Sequence, residues 1–275
     1  MGNQIITKKQ KRILNRSKNI LQGEEILVFP NSFCKGFSER CIETPWVAHQ
    51  LRGVQKILDI GFTFASAEYL GLLLELKDKY GVHLKAVDII MPEKVMGRYP
   101  KEWLNSIIEV PVILGNIMTL DLPNEYFDAV TIISTIEHIG FDEPAKTVKG
   151  SSFERMTHPD EVSLKRDPNT NSAVLDNLSK VLKKNGKILL SVPMGKGGAV
   201  ILRDSLGFYT AQWEYDERSW REIIEHERFT LLEERFFKFT HAGWTEVFSP
   251  NDLNEQSSYL RPHAEGIALC VLIKN

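Results

Sequence analysis

Two acids at the ends of apolar runs carry the clearest chemical potential in this chain. The run Lys56-Ile57-Leu58-Asp59-Ile60-Gly61-Phe62-Thr63-Phe64-Ala65-Ser66 reads as a buried strand that ends on a carboxylate and a glycine, then turns into a helix. Leu84-Lys85-Ala86-Val87-Asp88 reads as a second strand ending on another acid. A strand-turn-helix unit leaves free backbone N–H groups at the carboxyl edge of a parallel sheet, where open α/β folds bind nucleotide-like ligands. An acid at the next strand end can accept hydrogen bonds from both ribose hydroxyls of an adenosine. Glu137 and His138 follow a later strand. His138 is a candidate base because imidazole titrates in the useful range, although it equally suits a helix start bonded to backbone. His158 is a second candidate base, though its neighbours Pro159 and Asp160 also suit a plain turn.

Positioning these groups requires alternating elements. Strands are expected at 54–60, 84–90, 111–114, 127–134 and 186–193, with helices between most of them. Leu70, Leu73 and Leu74 give the first of these helices its apolar stripe, Lys77 and Lys79 sit in its last turns, and Gly81 marks its end. That order implies a parallel sheet with helices on both faces, because parallel strands need crossovers. Two closing strands, 231–239 and 267–273, lack a helical link and are expected to lie antiparallel. The segment from Ile139 to Thr170 is long, polar and punctuated by Pro144, Gly150, Pro159 and Pro168, which reads as a lid at about 140–170. Residues 1–53 are expected to form an N-terminal extension or cap, and 54–275 one Rossmann-like domain with an acceptor-pocket region at about 195–250.

Bulk properties narrow the class. The chain has 275 residues, 43% hydrophobic and 25% charged, enough for a substantial core. A net charge of -2 gives no global attraction to nucleic acid or an anionic membrane. The basic stretch at 7–18, with Ile5, Ile6, Ile13 and Leu14 as anchors, reads first as a solvated amphipathic helix. No apolar run spans a bilayer, and Lys8, Lys9, Lys11 and Arg12 interrupt any secretory signal, so a cytoplasmic protein is expected. Cys34, Cys41 and Cys270 form no CxxC pair, which fits a reduced compartment.

Five motifs in order resemble the class I S-adenosylmethionine-dependent methyltransferases, in the branch acting on small molecules and sugars. Leu58-Asp59-Ile60-Gly61 is similar to the glycine-loop motif, and Ala86-Val87-Asp88-Ile89 to the second-strand acid. Gly115-Asn116-Ile117 with Leu120-Asp121-Leu122-Pro123 resembles the segment flanking adenine. Phe127-Asp128-Ala129-Val130 leading into Ser134-Thr135-Ile136-Glu137-His138-Ile139 resembles the fourth-strand motif. Leu178 to Pro193, with its Lys184-Asn185-Gly186-Lys187 turn, resembles the helix and strand that follow.

The resemblance implies a seven-stranded, mostly parallel α/β sheet with an antiparallel closing strand, and S-adenosylmethionine as cofactor. It places Asp59, Gly61, Phe62, Thr63, Ser66, Asp88, Ile89, Asn116, Ile117 and Ser134 at the donor, and a small-molecule hydroxyl or amine at His138 or His158. A sugar or glycan precursor is the favoured acceptor; an RNA methyltransferase and a non-catalytic partner subunit are the alternatives. Phe62 and Phe64 replace glycines of the family loop and are expected to crowd the backbone approach, leaving Thr63 or Ser66 to hold the methionine end. Asn116 stands where the family often has an acid, yet its amide can still bond adenine. Arg40 and Glu43, in a segment that resembles one found before the first strand of sugar-cluster relatives, either line the pocket or pair with each other. Phe208, Tyr209, Trp213, Tyr215 and Trp220 either stack on an acceptor or fill a core. No metal is expected, because Asp142, Glu143, His158 and Asp160 have no diagnostic spacing.

Overall fold

The computed structural model describes residues 6–30, 33–141, 165–204, 206–256 and 264–275, and the backbone alone of 157–158. Helices α1 (Lys8–Gln22) and α2 (Arg40–Gln50) precede strand β1 (Lys56–Ile60). Then follow α3 (Ala67–Tyr80), β2 (His83–Asp88), α4 (Leu104–Ile108), β3 (Val112–Leu114) and β4 (Phe127–Ile133). The chain continues through β5 (Thr157–His158), α5 (Thr170–Val181), β6 (Leu182–Pro193), β7 (Val200–Arg203) and β8 (Tyr209–Glu214). It ends with α6 (Glu217–Ile224), β9 (Phe229–Thr240), β10 (Gly243–Val247) and β11 (Gly266–Lys274).

The main sheet has eight strands in the order β10-β9-β11-β6-β4-β1-β2-β3. Strands β3, β2, β1, β4 and β6 run parallel, and β11 lies antiparallel between β6 and β9. The expected seven strands are therefore one short. The eighth, β10, folds back on β9 through a two-residue turn, with Gly243 opposite Thr240 and Thr240 Oγ1 bonded to the Gly243 carbonyl. Its outer edge pairs with the backbone of Phe33 in both directions, Trp244 N–H to Phe33 O at 2.8 Å and Phe33 N–H to Trp244 O at 3.0 Å. Residues β5, β8 and β7 form a separate three-stranded sheet.

Strand alternation splits the core between two faces. Ile57, Ala129, Leu189 and Leu269 point to a cluster shared with α1–α4, while Leu58, Val130, Leu190 and Cys270 point to one shared with α5 and α6. The basic helix α1 joins this core through Ile13, Leu14, Ile20 and Leu21 and begins with a capping box, Thr7 with Gln10. Gly81 ends α3 in the left-handed region, as expected from its place after Lys77 and Lys79. The three cysteines are free thiols. No helix among the described residues is long and apolar enough to cross a membrane.

Candidate active site

Asp59, Gly61, Asp88 and the residues after β4 meet at the carboxyl edge of the parallel strands. Asp59 shares the α1–α4 face with Thr131, its register partner on β4. Its Oδ2 accepts from Thr131 Oγ1 and Tyr69 Oη, each at 2.6 Å, while Oδ1 has no partner. Burial pushes its pKa up to about 6. Asp59 thus ties β1, β4 and α3 together beneath the site.

Gly61 takes φ +91° and opens a short turn, Phe62–Phe64, ahead of α3. A Cβ at Gly61 would lie 2.5 Å from Thr135 Oγ1, so the glycine is required by conformation and by space. Phe62 does not crowd the edge: its side chain is buried in the α1–α4 core. Phe64 is partly exposed beneath the Arg98 guanidinium, 5.2 Å from its ring centre. Thr63 is committed, its Oγ1 to Ile90 O at 2.6 Å and its carbonyl to the Tyr99 hydroxyl. Ser66 Oγ, by contrast, is buried without a partner.

Asp88 closes the same turn. Its carboxylate accepts from Thr63 N–H at 2.8 Å, Ile89 N–H at 2.7 Å and Ile90 N–H at 3.2 Å. Burial raises its pKa against those three bonds. Ile89 beside it is exposed, as is Leu114 at the end of β3. Asn116 is exposed, with its Oδ1 held by Met118 N–H at 3.0 Å, which leaves the amide NH₂ outward as a donor. Ile117 is buried, and Asn177 Nδ2 pins its carbonyl at 2.8 Å.

After β4 the chain is held by a charged hub on α2. Arg40 and Glu43 pair with each other, one of the two readings open from the sequence, and Glu39 lies 3.8 Å from Arg40. The other oxygen of Glu43 accepts from Ser134 Oγ at 2.7 Å and Ser191 Oγ at 2.6 Å, joining α2 to the ends of β4 and β6. Ser134 adopts φ +43°, a costly conformation for a residue with a side chain, and its N–H is anchored on Ser191. Ser134 is therefore bound into the Glu43 hub.

Next comes the turn Ile136–His138. His138 Nδ1–H donates to Ala211 O at 2.7 Å, which leaves Nε2 as the ring's acceptor. Burial lowers its pKa to about 4, so the ring is neutral and weakly basic. Glu137 is 1% exposed, its Oε2 has no partner, and burial pushes its pKa up to about 8. Glu68 Oε2 and Thr44 Oγ1 are also buried and unpartnered. The sequence names Glu137 only as His138's neighbour; a glutamate between Ile136 and Ile139 in a turn was the available signal.

Of the remaining candidates, His158 has only its backbone described, opposite Tyr209 in β5. Asp142, Glu143 and Asp160, and most of the expected lid, lie outside the described residues. Among the described residues no group of three metal-ligating side chains converges. Tyr215 and Trp220 belong to the core: Tyr215 Oη bonds Asn171 Oδ1 at 2.9 Å, and Trp220 Nε1 bonds Glu234 at 2.6 Å. Trp213 is partly buried, with Arg166 5.6 Å from its ring centre.

No family model matches the chain, and no curated protein does. Solved structures do match. The [4+2]-cyclase SpnF aligns with a TM-score of 0.52 at 12% identity, over 99% of this chain and 98% of that one. The Burkholderia thailandensis 1,6-didemethyltoxoflavin-N1-methyltransferase, solved with 1,6-didemethyltoxoflavin and S-adenosylhomocysteine, aligns with a TM-score of 0.50 at 14% identity, over 100% and 93%. At such identities the likeness shows a shared fold, that of the S-adenosylmethionine-dependent methyltransferases. The presence of a cyclase in the set means that the fold alone does not assign the reaction.

Proposed function

We propose that this protein binds S-adenosylmethionine and transfers its methyl group to a hydroxyl or amine of a small molecule, with a sugar or glycan precursor as the favoured acceptor. The observation that carries the reading is the carboxyl edge itself, where Asp88 and Gly61 hold one turn and exposed Ile89 and Leu114 flank it. In this reading Asp88 takes the ribose hydroxyls with its remaining acceptor capacity. Ile89 covers a face of the adenine and the Asn116 amide meets its edge. Ser66 Oγ is the hydroxyl available to the methionine end, since Thr63 is engaged. Gly61 lets the backbone approach. Methyl transfer is an in-line displacement, so alignment supplies much of the rate. His138, oriented by Ala211, accepts a hydrogen bond from the acceptor through Nε2. A cytoplasmic setting belongs to the same proposal.

Calorimetry with S-adenosylmethionine and S-adenosylhomocysteine tests the reading. Both should bind the wild type, and Asp88→Ala should weaken them about tenfold to a hundredfold, as loss of charge-assisted bonds worth about 1.5–3 kcal/mol implies. Because Asp88 also braces the Thr63 turn, folding of the variant is checked by circular dichroism. A folded Asp88→Ala protein with unchanged affinity removes Asp88 from the site, and a wild type that binds neither nucleoside overturns the function.

A further inference from the structure

We propose that Glu137 receives a protonated amine of the methyl acceptor and takes its proton, so that the acceptor class is an amine binding as an ammonium. The assignment deepens the methyl-transfer reading and rests on it.

Carboxyl groups outnumber the cations around Arg40. Glu39, Glu43, Glu68 and Glu137 all act on this one guanidinium. Arg40 is already paired with Glu43 and Glu39, and the second oxygen of Glu43 is filled by two serines. Arg166, the other cation near Glu137, donates to Ile139 O at 3.0 Å, Ile136 O at 3.1 Å, Asn171 Oδ1 at 3.2 Å and Tyr215 Oη at 2.8 Å. Glu68 and Glu137 each keep one buried oxygen, Oε2, without a donor, although the Glu137 carboxyl also meets its own backbone N–H. A buried carboxyl oxygen without a donor is costly, and a cation from outside relieves it.

The donor brings one ammonium, at its amino-acid end, and there are two such carboxyls. Glu68 lies in the first turn of α3, directly after the Gly61 turn and two residues from Ser66, where the methyl-transfer reading puts the donor's amino-acid end. Glu137 follows β4, beside His138, on the side of the acceptor. The donor's ammonium therefore falls to Glu68, and Glu137 remains for the second cation. Arg40 and Glu43 on α2, Arg166 ahead of α5, and the neutral ring of His138 surround it. Burial holds a proton on Glu137 to about pH 8, so this carboxyl is neutral in the empty site and releases its proton when an ammonium arrives.

The step then balances. The bound ammonium gives one proton to the Glu137 carboxylate and becomes a neutral amine. Its lone pair forms the N–C bond to the sulfonium methyl while the C–S bond breaks, and that electron pair goes to sulfur, leaving a neutral thioether. The product is an N-methyl ammonium, and Glu137 ends protonated as in the empty site, the one proton of the turnover having left when the ammonium bound.

The test uses the whole chain with ¹³C-labelled glutamate carboxyls, saturated with S-adenosylhomocysteine at pH 7. Methylammonium chloride is the probe, against potassium chloride at equal ionic strength and against methanol. One carboxyl resonance, absent in Glu137→Gln, should move from the protonated to the ionised position with methylammonium alone. Glu137→Asp provides the same assignment should the glutamine variant not fold. Affinity for S-adenosylhomocysteine should stay within about twofold in Glu137→Gln. A resonance that methylammonium leaves in place, or that potassium chloride moves equally, overturns the proposal. A tenfold loss of S-adenosylhomocysteine affinity overturns it too, by giving Glu137 to the donor's ammonium. If S-adenosylhomocysteine fails to bind the wild type, the methyl-transfer reading falls first; if it binds and the resonance is unmoved, the amine assignment falls alone.

Discussion

Glu137 holds its proton at neutral pH because burial lifts its pKa to about 8 from the usual 4.5. The unfolded chain loses that proton near pH 4.5, so the folded state binds more protons between the two values and stability falls as pH rises across them. Asp59 acts in the same direction, but only up to about 6. His138 acts oppositely: its folded pKa of about 4 makes stability rise until about 6.5. Above pH 6.5, Glu137 is the one of these three still titrating. The stability difference between wild type and Glu137→Gln should therefore shift against the wild type by ~2 kcal/mol between pH 6.5 and 8, read by urea unfolding. Taking the difference also cancels Cys34, whose bond to Cys41 brings its pKa down to about 7. A flat difference would mean that Glu137 is already ionised in the fold. At this scale the sequence was partly legible. Asp59 and Asp88 announce themselves at strand ends, whereas Glu43 meets Ser134 and Ser191 across 91 and 148 positions, a convergence that no local spacing encodes.

The turn after β1 shows how an element departs from what its residue types imply. Two phenylalanines in place of glycines read as an obstruction, yet Phe62 faces inward, because the Phe62–Phe64 turn swings it beneath the edge rather than over it. Only Gly61 retains the glycine requirement, set by φ +91° and by Thr135. Gly61→Ala should cost ~2–4 kcal/mol, since it combines backbone strain with overpacking. Thr135→Ala removes the two atoms at 2.5 and 2.6 Å from the new methyl and leaves one at 3.1 Å. The pair should therefore be non-additive in a double-mutant cycle followed by urea unfolding, the second change recovering the steric part and leaving the strain. Simple additivity would show that Thr135 does not set the limit. Strands β1 to β4 were legible because each is a short apolar run bounded by turns. Strand β10 was not, since its five residues show no such run and only Trp244 is fully buried among the larger ones.

For the whole molecule, the alternation of strand and helix made the parallel half of the sheet readable, and the missing helical link made β9 and β11 antiparallel. The small sheet of β5, β7 and β8 escaped, because its pairings join a segment between β4 and α5 to another after β6. Helix α1 also carries more of the molecule than its basic surface announced, since Ile13, Leu14, Ile20 and Leu21 sit in the same cluster as Leu70 and Leu73. Deleting residues 1–36 should uncover that face and the outer edge of β10 together, giving an aggregated product by size-exclusion chromatography. A monodisperse truncated protein would contradict this. The backbone bond between Phe33 and Trp244 has a further consequence in time. A ribosome releases Phe33 long before Trp244, so the N-terminal strap must wait through most of synthesis for the strand it covers. Closure of the sheet's edge is then a late event of folding, and until it happens the nascent chain depends on speed or on chaperones to keep that edge from finding another molecule.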